Sequence, residues 1–262
     1  MAILGSVFRN TTGNEVDNEK DGTVSSDSKK PNKPEIHNKP PNTQDLAPGS
    51  KNRFGIDCKN FVQAIINSGY KIDSNDLKNR VNRYCMQFIS MTSSDKNIVT
   101  SKRELSMMLA HIIFETGGFR SLSETACKRE DCSSIYGKSD TRNLDYRGRG
   151  FIQISYLKNY HDASKELFGD SRLVDNPLLV ATNETINWKV TAWYWQKYVH
   201  SVPQVLLGYF GYSTKAINGP IECSLDSEAS NVQKAKNRFL VYKHVLKEFA
   251  PNEYPIEAGC YS

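Results

Sequence analysis

The chain has 262 residues, a formal net charge of +5 and six cysteines. That length buries a proper core in one large or two small domains. No run approaches the ~20 apolar residues of a membrane-spanning helix, and no Lys/Arg stripe interleaved with aromatics marks a nucleic-acid surface. Neither a membrane nor a nucleic acid is therefore expected as a partner.

Residues 1–53 hold five of the ten prolines, mixed with Asn, Lys, Ser and Asp, and no Cys, Trp or Tyr. Such a segment cannot bury enough apolar surface to offset its ordering entropy, so it reads as disordered or linker-like. Its opening Met-Ala-Ile-Leu-Gly-Ser-Val-Phe is too short for a secretory hydrophobic region and lacks a basic flank. The globular part is expected over 54–262. Asp57 is placed to cap a helix carrying Phe61, Val62, Ile65 and Ile66 and ending at Ser68-Gly69. A second helix runs through Leu77, Val81, Tyr84, Phe88 and Ile89.

The third begins at Ser101, three residues before Glu104, the spacing of a capping box. Leu105, Met108, Leu109, Ile112 and Ile113 form its apolar stripe. It should stop at Thr116-Gly117-Gly118, because glycine takes a left-handed conformation without steric cost. Glu115 then sits in the last turn, where the helix dipole and apolar neighbours favour its protonated form. Glu124 follows an irregular stretch containing Ser121 and Ser123 and is expected to be more solvated and ionised. Two carboxyls whose environments differ in this way suit acid and base roles.

From Thr125 to Asp145 periodicity is weak. Tyr146 to Ser155, YRGRGFIQIS, starts glycine-rich and turns alternating, which predicts a short extended segment feeding a helix from about Tyr156 to Phe168; it lacks the spacing of a phosphate loop. Thr182 or Asn183 caps a helix holding all three tryptophans, Trp188, Trp193 and Trp195. Aromatics nearly all round a helix point to a buried one rather than a sugar platform. Thr214 to Pro220 reads as turn-rich, and a last helix, Val232 to Phe249, begins after Ser227 or Ser230 and is closed by Pro251. The class expected is mainly α, with one small hairpin or three-stranded sheet around Phe151 to Ile154.

The cysteines, none in a CxxC pair, lean toward disulfides and an oxidising, extracellular or secretory compartment. Cys127 with Cys132 would clip a loop after Glu124, Cys223 with Cys260 would tie the last helix to the tail, and Cys58 and Cys85 would be left. His111 and Glu115 share a helical face, but no third metal ligand follows at a recognisable spacing. No HExxH or GxSxG is present. Paired carboxylates are the best catalytic candidate.

FETGGF, a second Glu nine residues after the first, YRGRGFIQIS, NY, NPLLVAT, TAWYW, KAINGPIEC and R-x-x-x-Y-K, collinear over roughly Ser101 to Tyr261, resemble the family 19 chitinases, in particular the loop-poor members. The resemblance implies a lysozyme-like, two-lobed helical domain that cuts β-1,4 bonds between N-acetylglucosamine units of chitin, from within the chain and with inversion, as a monomer and without a cofactor. By position, Glu115 would be the general acid and Glu124 the general base, with Ser155 helping to hold the attacking water. Gln153, Asn159, Tyr160, Asn218 and Arg238 would match substrate-contacting or supporting positions, with packing or an ion pair as the other reading of Tyr160 and Arg238. Inversion needs carboxyls about 6.5–9.5 Å apart. Phe114 replaces the usual His before the acid, Arg147 the second Tyr of the YYGRG pattern, and Lys158 a Tyr or similar residue before Asn159. Arg120 stands where related short-loop members often have a Cys. The first change makes the site more apolar and should raise the Glu115 pKa. A peptidoglycan-cleaving lysin and a non-catalytic chitin-binding protein are the alternatives of this fold.

Overall fold

Each of the first three helices begins where a side chain supplies its cap. α1 (Cys58–Asn67) opens with a complete capping box between Asp57 and Asn60, and Ser74 caps α2 (Asn75–Ser94). Ser101 caps α3 (Lys102–Glu115), its hydroxyl accepting the Glu104 N–H. The predicted return bond of that third box is not made. Glu104 instead turns inward and, 1% exposed, accepts from the backbone and hydroxyl of Thr100 and from the Trp195 indole, with His200 Nδ1 2.7 Å away. A buried carboxylate with this many donors satisfies the rule that interior charge must be fully bonded.

The computed structural model describes residues 51–124, 127, 132, 136, 144–224 and 226–261. The predicted N-terminal linker and most of the aperiodic stretch after Glu124 lie outside the described residues. Beyond them come α4 (Leu157–Phe168), α5 (Arg172–Asp175), α6 (Leu179–Thr182), α7 (Glu184–Tyr194), α8 (Pro203–Leu206), α9 (Phe210–Glu222) and α10 (Ala229–Phe249). Asn183 caps α7 through the Ile186 N–H, and the helix continues as a π-helical turn over Trp195–His200. In such a turn residues five apart fall on one face, which is how Trp195 and His200 both reach Glu104. All three tryptophans are buried, as the core reading of this helix expects.

The architecture is mainly α and two-lobed. In one lobe α10 lies along α3, with α1 and α9 packed on α10; in the other α7 receives α2 and α4. α3 joins both through a core that is buried almost without break from Glu104 to Ile113. Three differences from the sequence reading have local causes. Thr214 to Pro220 is not a turn but part of α9, kinked at Asn218 (φ −144°); Pro220 lies two residues beyond the break, and ring and chain accommodate each other there. α10 starts at Ala229 rather than Val232, with Glu228 at its cap. No strand forms among the described residues around Phe151 to Ile154; antiparallel bridges join Ser123 to Arg149 and Arg149 to Ile154.

The pairs Cys58–Cys85, Cys127–Cys132 and Cys223–Cys260 are all bonded. The last draws the tail across the start of α9, where the Phe210 and Gly211 N–H groups donate to the Ile256 and Glu257 carbonyls. Gly211 is required by this close approach: a Cβ there would lie 2.3 Å from the Glu257 oxygen and 2.6 Å from that of Ala258. Both obstacles are backbone. Gly211→Ala should therefore cost about 1–3 kcal/mol by over-packing, read as a lowered denaturant midpoint with the slope unchanged.

Candidate active site

α3 ends at Glu115, and the reversal that follows uses three consecutive positive φ angles, at Gly117, Gly118 and Phe119. The Thr116 hydroxyl accepts the Phe119 N–H and so holds the turn, which drives the Phe119 ring into an aromatic cluster with Phe61, Tyr84 and Phe151. Glu115 is thus fixed at the edge of the core, 5% exposed. Arg238 of α10 meets its Oε1 at 2.6 Å. The same guanidinium binds both oxygens of Glu222 from α9, at 2.8 and 2.9 Å, and stacks over the Phe114 ring with its carbon 4.4 Å from the centroid. Asn218, beside the α9 kink, donates to Glu222.

One cation is shared by two carboxyls. Burial raises the Glu115 pKa above the ordinary carboxylate range; Arg238 opposes the rise, and the charges of Glu222 and Glu124 reinforce it. The direction agrees with the expectation from sequence, but the dominant cause is dehydration. Arg238 itself is raised: burial works against its charge, and Glu115 and Glu222 outweigh it.

Glu124 is held by paired backbone. Its N–H donates to Gly148 O, and Gly150 N–H donates to Leu122 O. Its environment corrects the sequence expectation. Glu124 is not solvated but 6% exposed, and burial raises its pKa against the pull of a Tyr136 hydrogen bond, the Gly148 N–H and the Arg147 charge. The Oε2 atom of each carboxyl makes no hydrogen bond to the protein, so each presents one free oxygen.

The remaining predicted residues are all buried, Gln153 and Asn159 the least completely. Ser155 is buried and its hydroxyl donates to Gln153 O. Gln153, itself at φ 51°, donates to Gly150 O. The Gln153 side chain and the Ser155 hydroxyl both pack against Gly148, the residue that pairs with Glu124. Asn159 donates to Ser155 O. Tyr160 and Arg238 are fully buried, so the packing and ion-pair readings of these two are the ones realised. The Tyr160 hydroxyl donates to Arg147 O and accepts from Arg149. Sequence reasoning missed Glu222 and Tyr136. Glu222 was hidden because Thr214 to Pro220 reads as turn-rich and so offers no helix on which an acid four residues after Asn218 would stand out; for Tyr136 there was no signal.

The sequence model of the glycoside hydrolase family 19, described as chitinase class I, matches residues 87–250. The chain belongs to this family. It is 33% identical over 164 residues to acidic endochitinase SP2 of Beta vulgaris, covering 60% of this chain and 51% of that one, and 35% identical over 133 residues to endochitinase A of Zea mays, covering 50% and 45%. The chain spans about half the length of these curated relatives. Chitinase C from Streptomyces griseus has the same fold, with a TM-score of 0.53 at 22% identity over 82% of this chain and 83% of that one. A bacterial family 19 chitinase gives 0.52 at 25% identity, over 77% and 95%.

The positions that depart from the family pattern are each accommodated. Phe114 supplies the face on which Arg238 stacks. Arg147 forms a two-point pair with Asp145 and donates to the Cys127 carbonyl, and its charge acts on Glu124. Lys158 pairs with Asp162 on the surface of α4, and Arg120 binds Asp73 and the Lys71 carbonyl.

Removing Arg238 tests the shared cation. Arg238→Leu strands two buried carboxyls and should cost about 3–5 kcal/mol at neutral pH. The deficit should shrink as the pH falls and Glu115, whose pKa burial already raises, takes up its proton, because the neutral acid no longer needs the cation. Urea melts of parent and variant at pH 7 and pH 5 measure it; an equal deficit at both values would contradict this account.

Proposed function

We propose that this chain hydrolyses β-1,4 bonds between N-acetylglucosamine units of chitin, from within the polymer, by an inverting two-carboxylate mechanism. The observation that carries the reading is the pair Glu115 and Glu124: both buried, both raised, each with one free oxygen, and close enough that the charge of one raises the pKa of the other. The family membership and the endochitinase relatives support it. Residues 54–262 would be the catalytic domain. Three disulfides fit a protein that works outside the cell or in the secretory pathway.

In this reading Glu115 gives its proton to the glycosidic oxygen as that bond breaks. Glu124 takes a proton from water, and the water oxygen bonds to the anomeric carbon from the opposite face. Glu115 returns to the acid form from solvent and Glu124 releases its proton. The electrostatics favour the working state: once Glu124 has ionised, its charge makes Glu115 harder to ionise, so the two sites load in opposite senses. Ser155, Gln153 and Asn159 hold the backbone beside Glu124, and Asn218, Glu222 and Arg238 hold the acid.

Glu115→Gln and Glu124→Gln should each lower the rate on chitin oligomers by about 10²–10⁴-fold, measured against the parent, and NMR should find the α anomer as first product. Activity retained in either variant, or a β product, sinks the assignment. The pH profile tests the acid's neighbours. The alkaline limb follows loss of the Glu115 proton, so Glu222→Gln, which deletes a negative charge that raises that pKa, should move this limb to lower pH. The acid limb, set by Glu124, should stay.

A further inference from the structure

Two Asn-x-Ser/Thr triplets occur in the chain, Asn10-Thr11-Thr12 and Asn183-Glu184-Thr185. This is the acceptor pattern for an N-linked oligosaccharide, and it acquires meaning where the asparagine lies on the surface of a protein that passes through a secretory compartment. The first triplet lies outside the described residues. The second sits where α6 gives way to α7, and its geometry separates the atoms that hold the fold from the atom that would take a sugar.

Asn183 and Thr185 are both exposed, as is Thr182 before them. Glu184, between the two, is engaged with the protein: its carboxylate accepts from Arg83 and Gln87 of α2, at 2.9 and 3.1 Å. The middle residue ties the triplet down while the two residues that define the acceptor stay open to solvent. Asn183 has ordinary extended backbone, φ −110° and ψ 108°. Its Oδ1 accepts the Ile186 N–H at 3.1 Å and caps α7, a bond in which Nδ2 takes no part. An N-glycosidic link is made on the nitrogen and leaves the carbonyl an amide carbonyl, so the cap and the sugar do not compete. Asn218 is the contrasting case: it is 3% exposed and its Nδ2 is spent on Glu222.

We propose that Asn183 carries an N-linked oligosaccharide, joined through Nδ2 while Oδ1 goes on capping α7. The donor is an oligosaccharide on a polyprenyl diphosphate. Nδ2 gives up a proton and bonds to the anomeric carbon of the first sugar, the bond from that carbon to the diphosphate oxygen breaks, and the diphosphate leaves with the electron pair. Nothing is oxidised or reduced. The inference rests on the secretory reading of the three disulfides and is independent of the chemistry at Glu115.

The test takes the full chain, secreted from a eukaryotic cell behind a cleavable leader, through intact mass and peptide mapping before and after a glycan-releasing amidase, which leaves aspartate where a sugar was attached. The parent should exceed its polypeptide mass, and the treated peptide should show aspartate at position 183. Asn183→Asp keeps an oxygen for the cap and removes the acceptor nitrogen, so it should lose this oligosaccharide and still melt above Asn183→Ala. Thr185→Ala should lose the sugar with the cap intact, and Thr185→Ser should keep it. A secreted chain with its disulfides formed and position 183 unmodified overturns the proposal and leaves the secretory reading standing. A chain that stays inside the cell, or emerges with free thiols, sinks that reading and the proposal with it.

Discussion

The arrangement turns on a single guanidinium. Arg238 has no exposed surface, and a charge placed there is tolerable only if everything around it answers it. Two carboxyls and an aromatic face do so, and they come from two helices, Glu115 and Phe114 from α3 and Glu222 from α9, to meet Arg238 on a third, α10. The ion pairs therefore set the register of these helices as well as the electrostatics of the proposed acid. With one positive charge between two acids, the cluster carries net negative charge when both are ionised. A proton on Glu115 relieves that excess. The stability of the fold and the protonation of the proposed acid thus have one cause.

At the other end of α3 the logic repeats with different groups. Glu104 is as buried as Arg238, and it is answered by hydrogen-bond donors from the Thr100 turn and the π-helical segment. A helix pinned at both ends by buried charge cannot slide or rotate without breaking several bonds at once. That rigidity is what a proton donor needs, since a shift of about an ångström in a catalytic group is costly in rate.

Local order was legible and long-range electrostatics were not. Asp57, Ser101 and Asn183 announce helix starts because a cap is a contact with a residue two or three positions on. The tryptophan helix declares itself as core by leaving no polar face, and Glu115 is placed by the Gly117-Gly118 stop. Glu124 was misjudged because serine neighbours say nothing of Gly148, Arg147 and Tyr136, which close over it from later in the chain. The Glu104 box failed for the same reason: its carboxylate had a better offer from residues more than ninety positions away. In Thr214 to Pro220, Gly and Pro read as a turn, yet packing of α9 on α10 carries the helix across Asn218. The collinear motifs from Ser101 onward identified the family where no single residue could.

The tail crossing α9 gives the Glu115–Arg238–Glu222 cluster an order of assembly. Cys260 is bonded to Cys223, the residue next to Glu222, and its sulfur also lies 3.7 Å from the Glu222 carbonyl. Glu115 and Glu124 leave the ribosome well before Arg238 does, and before the strap that steadies the Arg238 partner can close. In a chain made from its N-terminus the buried ion-pair cluster is therefore among the last parts of the core to be completed, after α10 has been made and docked, and the bond that ties the end of α9 to the tail waits for residue 260.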